Sequence, residues 1–326
     1  MKLSVIVCTR NRSHAILDCL ESVRAAFEAA APVEGELVVV DNASTDDTSA
    51  IVQHWARRSG LTVRLEREAR RGLAAARNRG IRTASGELLA LTDDDCRMDR
   101  NYVIDLLLHD AADTDLVLRG GRVDLGDPGD LPLTIKTDRS AGRWSRAMNS
   151  ARHFNLGNCM LGCNMVMPRD AVTRIGLFDE RLGAGTRIPA GEDTDYVFRA
   201  YLEGITIEYV PDMAVAHHHG RKLASQGRAL NKSYAVGAGA LYAKYMFKDR
   251  DVCRQLGWDI KDAVREIFSA GRASRHRCSF STKDKIAYYL VGACKFAALP
   301  GRRTVALRMR DESGSAIAAA GKILPR

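Results

Sequence analysis

Four short apolar runs punctuate the first hundred residues: LSVIVC at 3–8, ELVVV at 36–40, LTVRLE at 61–66 and ELLALT at 87–92. Each is the length of a strand, and segments with helical spacing separate them. Those segments fall near 13–30, from Ser44 toward Gly60, and over 72–84. In the second, Ser44 can cap the helix start, and Asp46 and Asp47 suit its dipole. Strand and helix in alternation bury their apolar faces as a mostly parallel sheet flanked by helices. ELLALT is apolar at nearly every position, the pattern of a strand covered on both sides. The predicted class is therefore α/β.

Open sheets of this class bind ligands at the carboxyl ends of their strands. Polar clusters fall at those ends. CTRNR (8–12) follows the first run, Asp41 and Asn42 the second, and Asp93, Asp94 and Asp95 the fourth. His217, His218 and His219 end a later strand-like stretch. Three adjacent carboxylates repel one another, and no basic residue interrupts them. A solvated loop would screen that repulsion. A divalent cation would neutralise it, and oxygen ligands suit Mg²⁺ or Mn²⁺ together with a substrate phosphate.

Other positions carry two readings each. Asp41 is either a turn residue or an acceptor for a base or ribose. In GEDTDYVFR (191–199), acidic residues in a first helical turn stabilise the dipole with no further purpose. The same placement keeps Asp193 ionised and able to accept a proton. Consecutive histidines alternate faces on a strand, so only one or two of the three can point at the acidic cluster. Arg77 and Arg79 either face solvent or meet a phosphate or base.

From 113 to 170 the pattern is less regular, with DLGDPGDLP (124–132) a loop. A helix with an acidic start then runs to Gly204, followed by strands at 205–210 and 213–217. Beyond Arg221 strand signals stop, and basic, alanine-rich helical segments take over. There Lys and Arg outnumber Asp and Glu by 22 to 8, against 27 to 32 in the preceding part. Such a tail points to an anionic partner, nucleic acid or a membrane surface. Within 276–310, an apolar helical stretch at 286–299 lies between basic clusters that include Lys283, Lys285, Arg302 and Arg303. It is either a core helix or one that docks in the plane of an anionic inner leaflet.

The eight cysteines include no CxxC pair, and the closest two, Cys159 and Cys163, are four apart. They read as reduced, packed thiols, with no structural zinc site expected. No apolar run is long enough to span a bilayer, and the first is too short for a signal peptide. The expectation is the cytoplasm, with peripheral association at the inner face of the plasma membrane through 276–310.

With these motifs assembled, the chain resembles a family 2 glycosyltransferase of the GT-A fold. SVIVCTRNR, LVVVDNASTDDT, GLAAARNRGI, GELLALTDDDC, LGCNMVMPRDAV, IGLFDERLG, GEDTDYVFRA and VPDMAVAHHHGR match in order, covering about 1–220. The resemblance implies a catalytic domain at 1–220 and leaves 221–326 as a basic helical extension for acceptor or membrane contact. It implies a nucleotide site of Thr9, Arg10, Asp41, Arg77, Asp93 and Asp94. Asp95 would bind the metal, completed by His217 or His219, with Gly162 and Asn164 beside the donor sugar. Asp193 would deprotonate the acceptor, next to Glu192. Three aspartates stand where many members have two and a neutral residue, so Asp94 competes with Asp95 as metal ligand.

The implied reaction is metal-dependent transfer, with inversion, of a sugar from a nucleotide diphosphate. UDP is favoured, and the acceptor is a hydroxyl of a glycan or lipid-linked molecule. Mn²⁺ or Mg²⁺ would stabilise charge on the leaving diphosphate. Three other classes compete, of which a sugar nucleotidyltransferase would need a Gly-rich loop after the first strand, where CTRNRS has none. An aspartate-dependent phosphatase would want DxDxT, whereas Cys96 and Arg97 follow Asp95. A nucleic-acid-binding protein would explain the tail but not the acidic clusters, and aromatics are too few for stacking. No nucleic acid partner is expected.

Overall fold

The computed structural model describes residues 2–146, 159–268 and 282–299. The first part follows the expected alternation: β1 (Leu3–Thr9), α1 (Ile16–Ala29), β2 (Gly35–Asp41), α2 (Thr48–Ala56), β3 (Thr62–Arg67), α3 (Leu73–Thr83) and β4 (Leu88–Asp93). Then come β5 (Cys96–Met98), α4 (Tyr102–Ala111), β6 (Val117–Leu125), β7 (Gly142–Trp144), β8 (Asn164–Pro168), α5 (Arg169–Ile175), α6 (Glu192–Leu202) and β9 (Thr206–His217). Helices α7 (Ala224–Tyr245), α8 (Arg250–Phe268) and α9 (Thr282–Ala297) complete the described chain.

The strands form one sheet in the order β3-β2-β1-β4-β8-β6-β9-β5, with β7 paired to β9. Strands β1 to β4 are mutually parallel, and β8 then runs antiparallel to β4. Alternation along the strands sends Ile6, Val38, Val40 and Leu91 to one face, where α3, α5 and α6 cover them. Val5, Val7, Leu37 and Val39 go to the other, under α1, α2 and α4. Burial on both faces explains why these strands read as nearly continuous apolar runs.

Three expectations are corrected. Helix α2 starts at Thr48, because the Ser44 hydroxyl instead accepts a hydrogen bond from the Asn11 amide at 2.9 Å. The irregular middle contains β6, β7 and β8. The two strands expected near 205–217 are one strand, β9, whose pairing with β6 slips between Gly121 and Arg122. Pro211, which lacks an amide donor, lies in the skipped stretch of β9.

Helix α7 shares the core of the sheet through Ala235, Val236 and Leu241. Helix α9 lies against α7 so closely that a Cβ at Gly239 would sit 2.0 Å from the Tyr289 carbonyl oxygen. Its outward face leaves Leu290 and Val291 exposed. Helix α9 is therefore packed on one side and open on the other. Residues 276–281 and 300–310 of the basic stretch lie outside the described residues. Among the described residues, no helix is long and apolar enough to cross a membrane.

Candidate active site

The parallel register aligns Thr9 with Asp41, and Cys8 with Asp93, so the polar strand ends converge at one edge. Strand β8 brings its own beginning to that edge, since Asn164 pairs with Thr92. Arg77 reaches it from α3 and is 3% exposed. Its guanidinium contacts Asp93 Oδ1 at 3.0 Å and Glu192 Oε1 at 3.1 Å. It also donates to the Gly162 carbonyl at 3.2 Å. The Gly162 amide donates to Asp193 Oδ2 at 3.1 Å. A Cβ at Gly162 would lie 2.9 Å from both Arg77 Nη1 and Asp193 Cβ, so glycine is what lets the arginine and the carboxylate meet there.

Asp94 and Asp95 are held from the other side. Arg12 contacts Asp94 Oδ1 through Nε at 3.1 Å and Asp95 Oδ2 through Nη2 at 3.0 Å. His217 Nε2 lies 3.2 Å from Asp95 Oδ1. The Arg10 amide donates to Asp94 Oδ2 at 3.4 Å. Burial pushes the Asp94 carboxyl up to about 6, although Arg12 works against it. Burial acts the same way on Asp95, but His217 and Arg12 overcome it and hold Asp95 below the usual carboxylate range. Burial would depress His217, yet its bond to Asp95 and that carboxylate's charge raise it to about 9.

The repulsion among the three aspartates is thus already met by protein cations. Arg12 and Arg77 flank the cluster from chain positions far from it. Charge compensation of the aspartates therefore does not by itself require a metal ion, which would be held by ligand geometry. That geometry exists at His217. Its Nδ1 lies 3.1 Å from the Thr134 carbonyl oxygen, which fixes Nδ1 as a donor and turns Nε2 toward Asp95.

Helix α6 opens with Glu192, Asp193 and Asp195 in its first turn. They separate sharply. Asp195 points into the core and is fully buried, whereas Asp193 is half-buried at the site edge. Asp193 Oδ1 accepts the Thr194 amide at 2.7 Å, so the carboxylate is oriented by two backbone donors. Glu192 is pushed up to about 7, first by burial and then by the charge of Asp193, with Arg77 opposing.

Several expected site residues are used elsewhere. Asp41 Oδ1 accepts the Ser44 amide at 2.8 Å and Oδ2 accepts the Ser49 hydroxyl, so its carboxylate ties down the loop after β2. Asn164 is fully buried. Its amide donates to the Arg122 and Met213 carbonyls and accepts the Tyr102 hydroxyl. His219 Nδ1 accepts the Arg221 amide and Nε2 faces the Leu131 carbonyl, so neither nitrogen is turned to Asp95. Arg79 pairs with Glu66 on the surface. Thr9 is buried at the β1 end, beside Asp41.

Two participants escaped the sequence reading. Arg12 lies inside CTRNR, but nothing in that run tells which arginine turns to the aspartates. Helix α7 packs against the start of α6, where a Cβ at Gly237 would lie 2.7 Å from the Ala190 carbonyl oxygen, so the helical extension borders the site. A cavity of about 730 Å³ between α1 and α2, lined by Leu17, Ile51 and Trp55 among others, contains none of the candidate site residues.

Comparison with known proteins fits this geometry. The family described as Glycosyl transferase family 2 matches residues 4–176. Glycosyltransferase AglE of Haloferax volcanii is 27% identical over 240 residues, 73% of each chain. Chondroitin synthase of Pasteurella multocida is 26% identical over 66% of this chain, which spans 24% of that longer protein. Among solved structures, S. aureus TarS 1-349 in complex with UDP-GlcNAc aligns with a TM-score of 0.51 at 22% identity, covering 73% of this chain and 66% of that one. Mannosyltransferase PcManGT of Pyrobaculum calidifontis, in complex with GDP-Man and Mn²⁺, aligns with a TM-score of 0.60 at 18% identity, covering 91% and 87%. At these identities the structures speak to a shared GT-A fold alone. The family match spans more than half of the chain, and the chain therefore belongs to glycosyl transferase family 2 and is a glycosyltransferase.

Proposed function

We propose that the protein transfers a sugar from a nucleotide diphosphate, UDP in first preference, to a hydroxyl of a glycan or lipid-linked acceptor, with inversion. The observation that carries this reading is the linked set Asp93–Arg77–Gly162–Asp193 beside the Asp95–His217 pair. It brings a carboxylate oriented by two amides next to a charge-compensated cluster suited to a diphosphate. Thr9, Arg10, Arg77, Asp93 and Asp94 make the nucleotide side, and Gly162 faces the donor sugar. Asp41 serves indirectly by fixing the loop. Asp193 accepts the acceptor proton as its oxygen attacks, and Glu192 stays beside it.

An Mn²⁺ or Mg²⁺ ion fits the residues present. Asp95 offers a carboxylate oxygen and His217 an imidazole nitrogen already turned toward it, with Asp94 alongside. Bound there, the ion would supply stabilisation of charge on the leaving diphosphate. Arg12, whose side chain is 35% exposed, can then turn from the aspartates to the phosphates. In this reading 221–326 is a separate functional part that contacts the acceptor or an anionic membrane surface. The outward Leu290 and Val291 of α9, with Phe247 at the start of the α7–α8 turn, support that assignment.

Calorimetry with UDP tests both parts. Wild-type protein should bind UDP with Mn²⁺ and lose most of that affinity in chelator. Asp193→Asn should keep the affinity while donor turnover falls about 10²–10⁴-fold. Equal UDP affinity in chelator removes the metal, and joint loss of binding and turnover reduces Asp193 to a brace for the loop.

A further inference from the structure

Behind Asp95 lies a group that no sequence spacing announces. Cys96 on β5 stands directly across the ladder from His217 on β9. Cys163, just ahead of β8, joins them. One ligand atom from each of the three lies within 4.8 Å of the others. Cys96 is 0% exposed, Cys163 5% and His217 6%. Both cysteines are free thiols.

Two sulfurs and an imidazole nitrogen are a zinc ligand set. Tetrahedral zinc, with Zn–S of about 2.3 Å and Zn–N of about 2.0 Å, brings ligand atoms to roughly 3.5–4 Å from one another. Modest side-chain rotation reaches that from the observed spacing. Asp95 Oδ1, 3.2 Å from His217 Nε2, lies next to the imidazole but outside the three clustered ligand atoms. The Thr134 carbonyl beside His217 Nδ1 provides the outer contact that fixes a ligating imidazole. The cluster therefore has its ligands, their orientation and a dry surrounding.

We propose that Cys96, Cys163 and His217 form a second metal site, selective for a thiophilic divalent ion of the zinc class. Mg²⁺ and Mn²⁺ prefer oxygen and water and gain little from thiolates. His217 has one nitrogen turned inward, so it serves either the thiol site or a hard ion beside Asp95. A zinc-class ion thus antagonises Mn²⁺ at the active site. This antagonism rests on the donor reading above, whereas the binding itself does not.

The test uses full-length, metal-stripped protein kept reduced. Titration with Co²⁺ should produce a thiolate-to-cobalt charge-transfer band that saturates near one equivalent. Zn²⁺ should abolish the band by replacing cobalt, and added instead to the metal-free protein it should release protons as the thiols become thiolates. Cys163→Ser should remove the band and weaken zinc by more than the roughly tenfold that losing an outer-shell partner already costs. X-ray absorption on the wild-type zinc complex gives a readout independent of whether a variant folds, and sulfur should be in the first shell. No band in wild type, a band unchanged in Cys163→Ser, or a first shell of nitrogen and oxygen alone overturns the site. Zinc should also weaken Mn²⁺-dependent UDP binding. A cobalt band with UDP affinity insensitive to zinc overturns the shared use of His217. Absence of UDP binding before zinc is added counts against the donor reading and leaves the thiol site standing.

Discussion

Around Asp195, every charge is enclosed; around Asp95, one is not. Asp195 receives Lys244 Nζ and the Tyr245 hydroxyl, each at 2.6 Å, on one oxygen and Arg199 Nε at 2.9 Å on the other. Lys244 also reaches Asp179 at 2.7 Å, which Arg181 grips through both carboxylate oxygens. The rest of the Arg199 fork donates to the Ile175 and Leu177 carbonyls. Burial works against both aspartates, yet their partners hold each below the usual carboxylate range. Asp94 and Asp95 also sit largely inside the protein, but their arginine stands partly in water, with its side chain 35% exposed. A closed network fixes α6 to α7. An open one can exchange its cation for another, which is what a ligand site needs.

Breaking the closed network should have the largest effect. Lys244→Met leaves two buried carboxylates short of a partner, at a cost of about 3–5 kcal/mol. Denaturant unfolding should show a lower midpoint, and a loss under about 1 kcal/mol would place this network on a par with a surface pair. The boundary between the two regions is Glu192, raised from 4.5 to about 7. A raised carboxylate contributes stability that is full below its unfolded value and is lost as pH rises through its folded value. Stability should therefore fall between pH 4.5 and about 7, by at most about 3 kcal/mol for a shift of this size. Glu192→Gln should flatten that fall in melting curves taken across the window. The smallest effect belongs to the open network. Arg12→Gln should cost less than Lys244→Met, because Arg12 itself stands partly in water although its two aspartates are largely buried. A loss as large as that of Lys244→Met would erase the distinction.

Strands β1, β2 and β4 were legible because both faces are covered, which writes long apolar runs into the sequence, whereas the edge strand β3 shows as alternation. The rule that ligands gather at strand ends then found Asp93, Asp94 and Asp95 without further help. Strand β6 was hidden by Arg119, a 2% exposed residue that breaks the apolar pattern of VLRGGRV and pairs with Asp113 and Glu208. A buried ion pair looks like surface until its partner is seen. The same blindness applied to the aspartates, whose compensating Arg12 lies more than eighty residues away in the chain. The partners of His219 and Asn164 were hidden for a related reason. Periodicity places a side chain on a face, but it does not say which carbonyl has already claimed its nitrogen. The Cys96–Cys163–His217 group was equally unreadable, since strand pairing assembles it and spacing does not.

The antiparallel entry of β8 beside β4 divides the site along a single seam. Arg12, Arg77 and the three aspartates precede residue 100, whereas Gly162, Asp193 and His217 follow residue 160. Each side is one continuous length of chain, and they touch through Arg77 with Glu192 and Gly162, and through Asp95 with His217. For recombination between relatives, this makes the stretch around α4 the natural crossover. A chimera joined there takes Arg12, Arg77 and the three aspartates from one parent and Gly162, Asp193 and His217 from the other. The β4–β8 ladder and the cores shared by both lengths must agree as well as these contacts.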